Sequence, residues 1–206
     1  MTPPRLVEAA AELLSFLDAH GRSACLIGGI VVSRWGEPRA TRDVDATVLA
    51  DFKEEAAVLD LLLSKFDSRE PDPVRRAELG RLALLRASNG VDLDISFAGF
   101  PFELEVLQRA SDWQVTADIA LRTCSAEDLV LYKLVAARLI DLHDVQSVVS
   151  RMGAGLDADR VAYGAGALRR SWRSRNYWSR LRRRSASQGG FRKITSSQWD
   201  SSSGAA

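Results

Sequence analysis

Cysteine and histidine are scarce in this sequence, with two of each in 206 residues. Cys25 lies in an apolar run and Cys124 stands alone before "SAEDLV", so neither belongs to a CxxC pair. That spacing argues against a disulfide framework or a zinc site, and His20 and His143 are too few to rescue a Cys/His metal centre. Long apolar stretches are missing as well. No run approaches the roughly 20 residues that cross a bilayer. The opening "MTPPRLVEAAAELLSFLDAH" carries acids where a secretory signal would be basic and then apolar. The expectation is a soluble, cytoplasmic protein without a membrane partner.

What is present is an uneven distribution of charge. The formal net charge of +1 conceals a body, residues 1–159, with 17 Lys and Arg against 26 Asp and Glu, and a tail, residues 160–206, with 11 against one. Hydrophobic residues make up 46% of the chain, enough for one ordinary core. The tail has few aliphatics, interleaves Arg with Trp172 and Trp178, carries Trp199 further along, and ends in Ser and Gly, a composition expected to stay disordered. Three readings of it stay open. It is an arm that binds single-stranded RNA by stacking and phosphate attraction, the product of an out-of-frame reading of a GC-rich gene, or an inert extension.

The body alternates helical and strand patterns. Leu6, Val7, Ala10, Leu13, Leu14 and Leu17 recur at helical spacing between prolines and Gly21, which predicts an amphipathic helix from Pro3 to Ala19. "SACLIGG" reads as a buried strand turning at Gly28-Gly29 into a helix that begins near Ile30, and "VDATVLA" as the next strand. A helix follows from about Lys53 to Phe66. "GRLALLRAS" and "VDLDISFA" flank Ser88-Asn89-Gly90, the strongest hairpin signal in the chain, and should pair antiparallel. Beyond Phe102 the pattern turns mainly helical, with Ser125 and Asp128 spaced as a capping box before "LVLYKLVAARL". The fold class expected is α+β, a mixed β-sheet flanked by helices, then a small helical part and the basic tail.

One stretch raises a chemical question. In "LIGGIVVSRWGEPRATRDVDATVLA" two acids, Asp43 and Asp45, stand two residues apart at a strand's start. Alternate strand residues share a face, so the carboxylates would point the same way about 7 Å apart. Like charges there repel unless solvated or bridged by a cation, and a hard ion such as Mg²⁺ suits carboxylate oxygens.

These residues carry a resemblance. "GG" after a strand, a helix, "RATRDVD" and a later strand aspartate look like the nucleotidyltransferase superfamily. "DISFAGFPFE" and "SAEDLVLYKLVAARLIDLHDV" make the chain similar to the AbiEii-type toxin nucleotidyltransferases, with motifs in family order from about Cys25 to Val149. The resemblance implies a nucleotidyltransferase core over residues 1–105, a helical part completing the site over 106–159, and the tail beyond. It implies transfer of a nucleoside monophosphate from a nucleoside triphosphate to a macromolecule, with tRNA or another RNA as the candidate acceptor, in a toxin–antitoxin setting with a cognate antitoxin.

The residue roles make chemical sense beside that resemblance. Attack on the α-phosphate with loss of pyrophosphate gathers negative charge, and two Mg²⁺ ions on shared carboxylates are the usual answer. Asp43, Asp45 and Asp94 are the proposed metal ligands and catalytic acids, with Asp94 also orienting or deprotonating the nucleophile. Asp94 is preferred to Asp92 because it lies deeper in its strand, where an unpaired charge is costly. Gly28 and Gly29 would let backbone N–H groups approach phosphates, Ser33 would add a hydroxyl, and Lys133 and Arg42 would meet the triphosphate as cations. Arg138, Asp141 and Asp144 read rather as a plain surface charge cluster or helix cap, a structural role. Each residue also has a plain alternative: a tight turn for the glycines, a capping or solvated acid for the DxD pair, an ordinary ion pair for Arg42. The rival for the whole is a non-catalytic nucleotide- or RNA-binding module. Three clustered acids argue against it, since they cost stability and a module without metal gains nothing from them.

Overall fold

A computed structural model describes residues 4–173. The chain opens with helix α1 (Pro4–Ala19), whose Leu6, Val7, Ala9, Ala10, Leu13 and Leu17 are buried. Fully burying one leucine of such a face is worth about 1.5–3 kcal/mol. Gly21, at φ 66°, ends the helix in the left-handed region that favours glycine and turns the chain into strand β1 (Ala24–Ile27), buried along its whole length. Helix α2 (Gly29–Trp35), strand β2 (Asp43–Leu49) and helix α3 (Glu55–Leu63) come next. They correspond to the elements read from the sequence, with α3 shorter at both ends.

The expected hairpin is present. Strands β4 (Leu82–Arg86) and β5 (Asp92–Ala98) pair antiparallel, Leu84 opposite Asp94, and the turn is closed by Gly90 N–H donating to Ala87 O at 2.9 Å. A short strand β3 (Asp67–Ser68) and helix α4 (Pro73–Gly80) precede it. Helix α5 (Pro101–Arg109) follows.

The stretch after Phe102 departs from the mainly helical reading. Strands β6 (Ser111–Gln114) and β7 (Ala120–Thr123) form a second hairpin, and β7 lies parallel to β1 through Leu26 and Thr123. Both strands are only four residues long and five of their eight residues are exposed, so they carry almost no apolar signal. The described sheet therefore has seven strands in the order β3-β4-β5-β2-β1-β7-β6. It is mixed: β2 runs parallel to β5 and antiparallel to β1.

Three helices complete the described chain: α6 (Ala126–Ala136), α7 (Leu139–Met152) and α8 (Ala158–Arg173). Ser125 caps α6, its Oγ accepting from Asp128 N–H at 3.2 Å, as the capping box requires. The run "LVLYKLVAARL" is not one helix. Ala137 takes φ 50° in the left-handed region, its N–H donating to Lys133 O at 2.9 Å, and α7 starts afresh after Arg138. Helix α8 extends into the segment read as a disordered tail. Small residues replace aliphatics there because α8 packs closely: a Cβ on Gly164 would collide with the Leu131 side chain of α6. The tail beyond residue 173, with Trp178 and Trp199, lies outside the described residues.

Candidate active site

The site begins where β1 ends. Gly28 adopts φ 75° and ψ −144°, a backbone that L side chains rarely take, and a Cβ there would collide with the Asp45 carboxylate. A Cβ on Gly29 would meet Thr41 Oγ1 at 2.5 Å. Both glycines are therefore required by the close approach of β2 and the segment leading into it, and the pair is more than a generic turn. Ser33 is half-buried one turn into α2, and Arg42 is exposed. The far end of α2 is pinned: Trp35 Nε1 donates to Cys124 O at 2.9 Å, and Arg34 donates to Thr123 Oγ1 at 2.7 Å.

The parallel pairing of β2 and β5 assembles the acids. In register, Asp43 lies beside Asp92, Asp45 beside Asp94 and Thr47 beside Ser96, all on one face of the sheet. Like charges side by side on neighbouring strands are unfavourable, so this arrangement needs cations. Arg69, just past β3, reaches Asp94 Oδ1 at 2.8 Å and Asp92 Oδ2 at 3.2 Å. Arg86 adds a second contact to Asp92 Oδ1 at 3.1 Å. Thr41 Oγ1 donates to Asp43 Oδ1 at 2.9 Å, steadying it at the mouth of β2. The donors are carboxylate and hydroxyl oxygens only, a set suited to a hard divalent ion. Among the described residues no three His, Cys, Asp or Glu side chains converge closely enough to hold a metal as they stand. Asp94 is drawn onto Arg69 instead.

Lys133 sits elsewhere than a free phosphate-binding cation would. It is buried, its Nζ 2.8 Å from Asp144 Oδ2 and 3.3 Å from Asp141 Oδ1. Arg39 forms a two-pronged pair with Asp144, at 2.6 and 2.8 Å, and Arg138 another with Asp141, at 2.6 and 3.1 Å. Asp141 also accepts the Arg138 backbone N–H at 3.1 Å and so caps α7, the structural role read for it, although both acids are buried rather than on the surface. Burial alone would push the carboxyls of Asp141 and Asp144 up. The surrounding cations outweigh it and hold both below the ordinary range, Arg138 and Lys133 acting on Asp141, Arg39 and Lys133 on Asp144. Arg138 is held charged first by Asp141 and further by Asp45 and Asp43, so it spans the field of both clusters.

Arg69, Arg39 and Arg138 thus belong to the site's electrostatics without having been read as site residues. Arg69 carried no usable signal, since its partners lie 23 and 25 positions on and meet it only across the sheet. Arg39 bonds an acid 105 positions away. Cys25, buried within β1 of the same sheet, has its thiol pushed up to about 12 by burial and by the charge of Asp128, and stays protonated.

The glycine turn, the acids on paired strands and the helical cover define a nucleotidyltransferase. Comparison with known families agrees: residues 14–205 match the family described as nucleotidyl transferase AbiEii toxin, Type IV TA system, and the chain belongs to it. That match takes in the basic tail, which the quoted motifs do not reach. No curated protein matches the chain. Solved structures share the fold. The solution structure of the antibiotic-resistance factor ANT(2'')-Ia aligns with TM-score 0.53 at 16% identity, covering 82% of this chain and 93% of that one. A crystal structure of ANT(2'')-Ia in complex with adenylyl-2''-tobramycin gives 0.52 at 17%, covering 81% and 98%. An antigenic nucleotidyltransferase-like protein from Paracoccidioides brasiliensis gives 0.51 at 14%, covering 83% and 90%. Among the described residues no helix is long and apolar enough to cross a membrane.

Proposed function

We propose that this nucleotidyltransferase uses Mg²⁺ to transfer a nucleoside monophosphate from a nucleoside triphosphate to an RNA acceptor, with tRNA the first candidate, as the toxin of a pair that includes a cognate antitoxin. The observation that carries the reading is the β2–β5 register, which sets Asp45 against Asp94 beside the Gly28-Gly29 turn. Asp43, Asp45 and Asp94 would hold the metal, and Mg²⁺ when bound would offset the charge of the triphosphate and lower the cost of ionising the acceptor hydroxyl. The acceptor oxygen bonds to the α-phosphorus, the bond from that phosphorus to the bridging oxygen breaks, and pyrophosphate leaves. Asp94 orients the acceptor hydroxyl and takes its proton. The Gly28-Gly29 turn lies against Asp45 and Thr41, and its backbone N–H groups would meet the triphosphate there. Lys133 and Arg138 contribute as part of a fixed cationic wall, and Arg138 feels the charges of Asp43 and Asp45 directly.

The toxin setting and the RNA acceptor are supported by the family and by the strongly basic tail. The test is incubation of the full chain with each α-labelled nucleoside triphosphate, Mg²⁺ and total RNA. Label should enter RNA from one triphosphate in preference to the others. Label found only on an added aminoglycoside would overturn the RNA acceptor and keep the chemistry.

A further inference from the structure

Arg69 occupies a position that the reaction itself needs. Its backbone N–H is anchored on Leu84 O at 2.9 Å, alongside β4, and its side chain lies over the β5 acids, with NH1 2.8 Å from Asp94 Oδ1 and NH2 3.2 Å from Asp92 Oδ2. One guanidinium therefore spans both acids of that strand. Asp92 has Arg86 as a second cation, so it stays neutralised if Arg69 departs. Asp94 is the more enclosed acid, its side chain 12% exposed against 34% for Asp92, and its contact with Arg69 is correspondingly less screened.

We infer that Arg69 is a built-in counter-cation for Asp94 that competes with the divalent ion and is exchanged for it when metal and triphosphate arrive together. The inference rests on the metal-dependent reading of Asp43, Asp45 and Asp94 above. A guanidinium has five N–H donors and no lone pair for a metal, so it cannot share in coordination, and its charge repels an ion seeking the same carboxylate. Free metal must break the Arg69 pair without offering a replacement. A metal–triphosphate complex brings phosphate oxygens, which the planar fork of arginine matches as well as it matches carboxylates. Metal and triphosphate should therefore strengthen each other's binding, by the same factor in both directions. Arg69 is a positioning residue in this scheme: it keeps the acids in place before the substrate arrives and withholds Asp94 from metal alone.

The test measures Mn²⁺ binding, from the electron paramagnetic resonance signal of the free ion, to the full chain with and without an α,β-methylene triphosphate that cannot react. Arg69→Gln should bind Mn²⁺ alone at least about tenfold more tightly than the wild type, the scale of one lost charge-assisted hydrogen bond, and the benefit of adding the analogue should shrink by a similar factor. Arg69→Lys keeps a charge but cannot span two carboxylates, so it should fall between them, and it carries the test alone if the glutamine variant does not fold. Equal Mn²⁺ affinity in wild type and variants would overturn the role of Arg69. The metal site itself would then still stand if Asp43→Asn/Asp45→Asn lost the ion. Absence of Mn²⁺ binding in every protein, with or without analogue, would overturn both.

Discussion

Two groups of aspartates lie close together in this molecule and are treated in opposite ways. The first, Asp43, Asp45, Asp92 and Asp94, stands on β2 and β5, where Arg69 and Arg86 pair with the β5 acids and Arg138 lies in the field of Asp43 and Asp45. The second, Asp141 and Asp144, is buried on α7 and meets Lys133 of α6, Arg39 and Arg138. In the second, cations outnumber acids. Burying a carboxylate costs several kcal/mol unless it is paired and hydrogen-bonded, so the inner pair had to be neutralised within the protein. Of the outer acids, Asp43, Asp45 and Asp92 are half-buried and only Asp94 is buried, so they are closer to water than the inner pair. The difference separates the acids that build the inner wall from those to which the proposed function gives the chemistry.

The largest effect that would sharpen this contrast is on turnover. Asp94→Asn should lower incorporation of labelled nucleotide by about 10²–10⁴-fold, the range for removing a group that moves a proton. Asp92→Asn should cost little, because Asp92 shares its charge with Arg86 at the strand's edge. Both should keep the circular dichroism spectrum of the wild type. An inactive Asp92 variant beside an active Asp94 variant would move the site toward the start of β5.

The inner cluster should fail through stability. Asp144→Asn leaves Lys133 and Arg39 buried beside one acid fewer, and urea unfolding should show a loss of about 3–5 kcal/mol, as for other broken buried pairs. The double change Lys133→Met/Asp144→Asn should recover part of that loss. A loss under about 1 kcal/mol for the single change would mean that the cluster is hydrated and resembles the outer one.

Acid should separate the groups further. Asp141 and Asp144 have folded-state pKa values below their ordinary 3.8, so their contribution is fully present above that value and is lost as pH falls through and below it. Asp128 works in the other direction. Burial raises its carboxyl despite Arg109, so the folded state takes up a proton first and gains relative stability as pH falls through that raised value. Melting temperature should therefore drop steeply only below about pH 4. Asp144→Asn, already less stable at neutral pH, should show a shallower acid limb, and an unchanged limb would remove the cluster from the account.

The smallest effect concerns the hinge between the two helices that hold the inner cluster. Ala137 ends α6 at φ 50°, a conformation that suits glycine. Ala137→Gly should stabilise the chain by up to about 1 kcal/mol, or roughly 2–4 °C in melting temperature for a chain of this size. A destabilised variant would show that the helix break is dictated by the Arg138–Asp141 cap rather than tolerated at Ala137.

Local pattern determined a good deal of this protein. Helical spacing in residues 4–19, the Asn89-Gly90 turn and the Ser125 cap each concern neighbours in sequence, and each yielded an element that the structure contains. Motif order was enough to reach the family. Other features had no local expression. The hairpin of β6 and β7 is too short and too polar to register as a pattern, and it exists because β1 offers it an edge. Helix α8 packs through Val161 and the small Gly164, too few apolar positions to show a period. The neighbourhood of Asp45 and Asp94 follows from a strand pairing 49 positions apart, and the partners of Lys133, Arg39 and Arg69 from how helices and strands close over one another. A sequence states which residues carry charge. Which of those charges meet inside the protein is decided by distance, and only the tertiary structure sets distances between residues far apart in the chain.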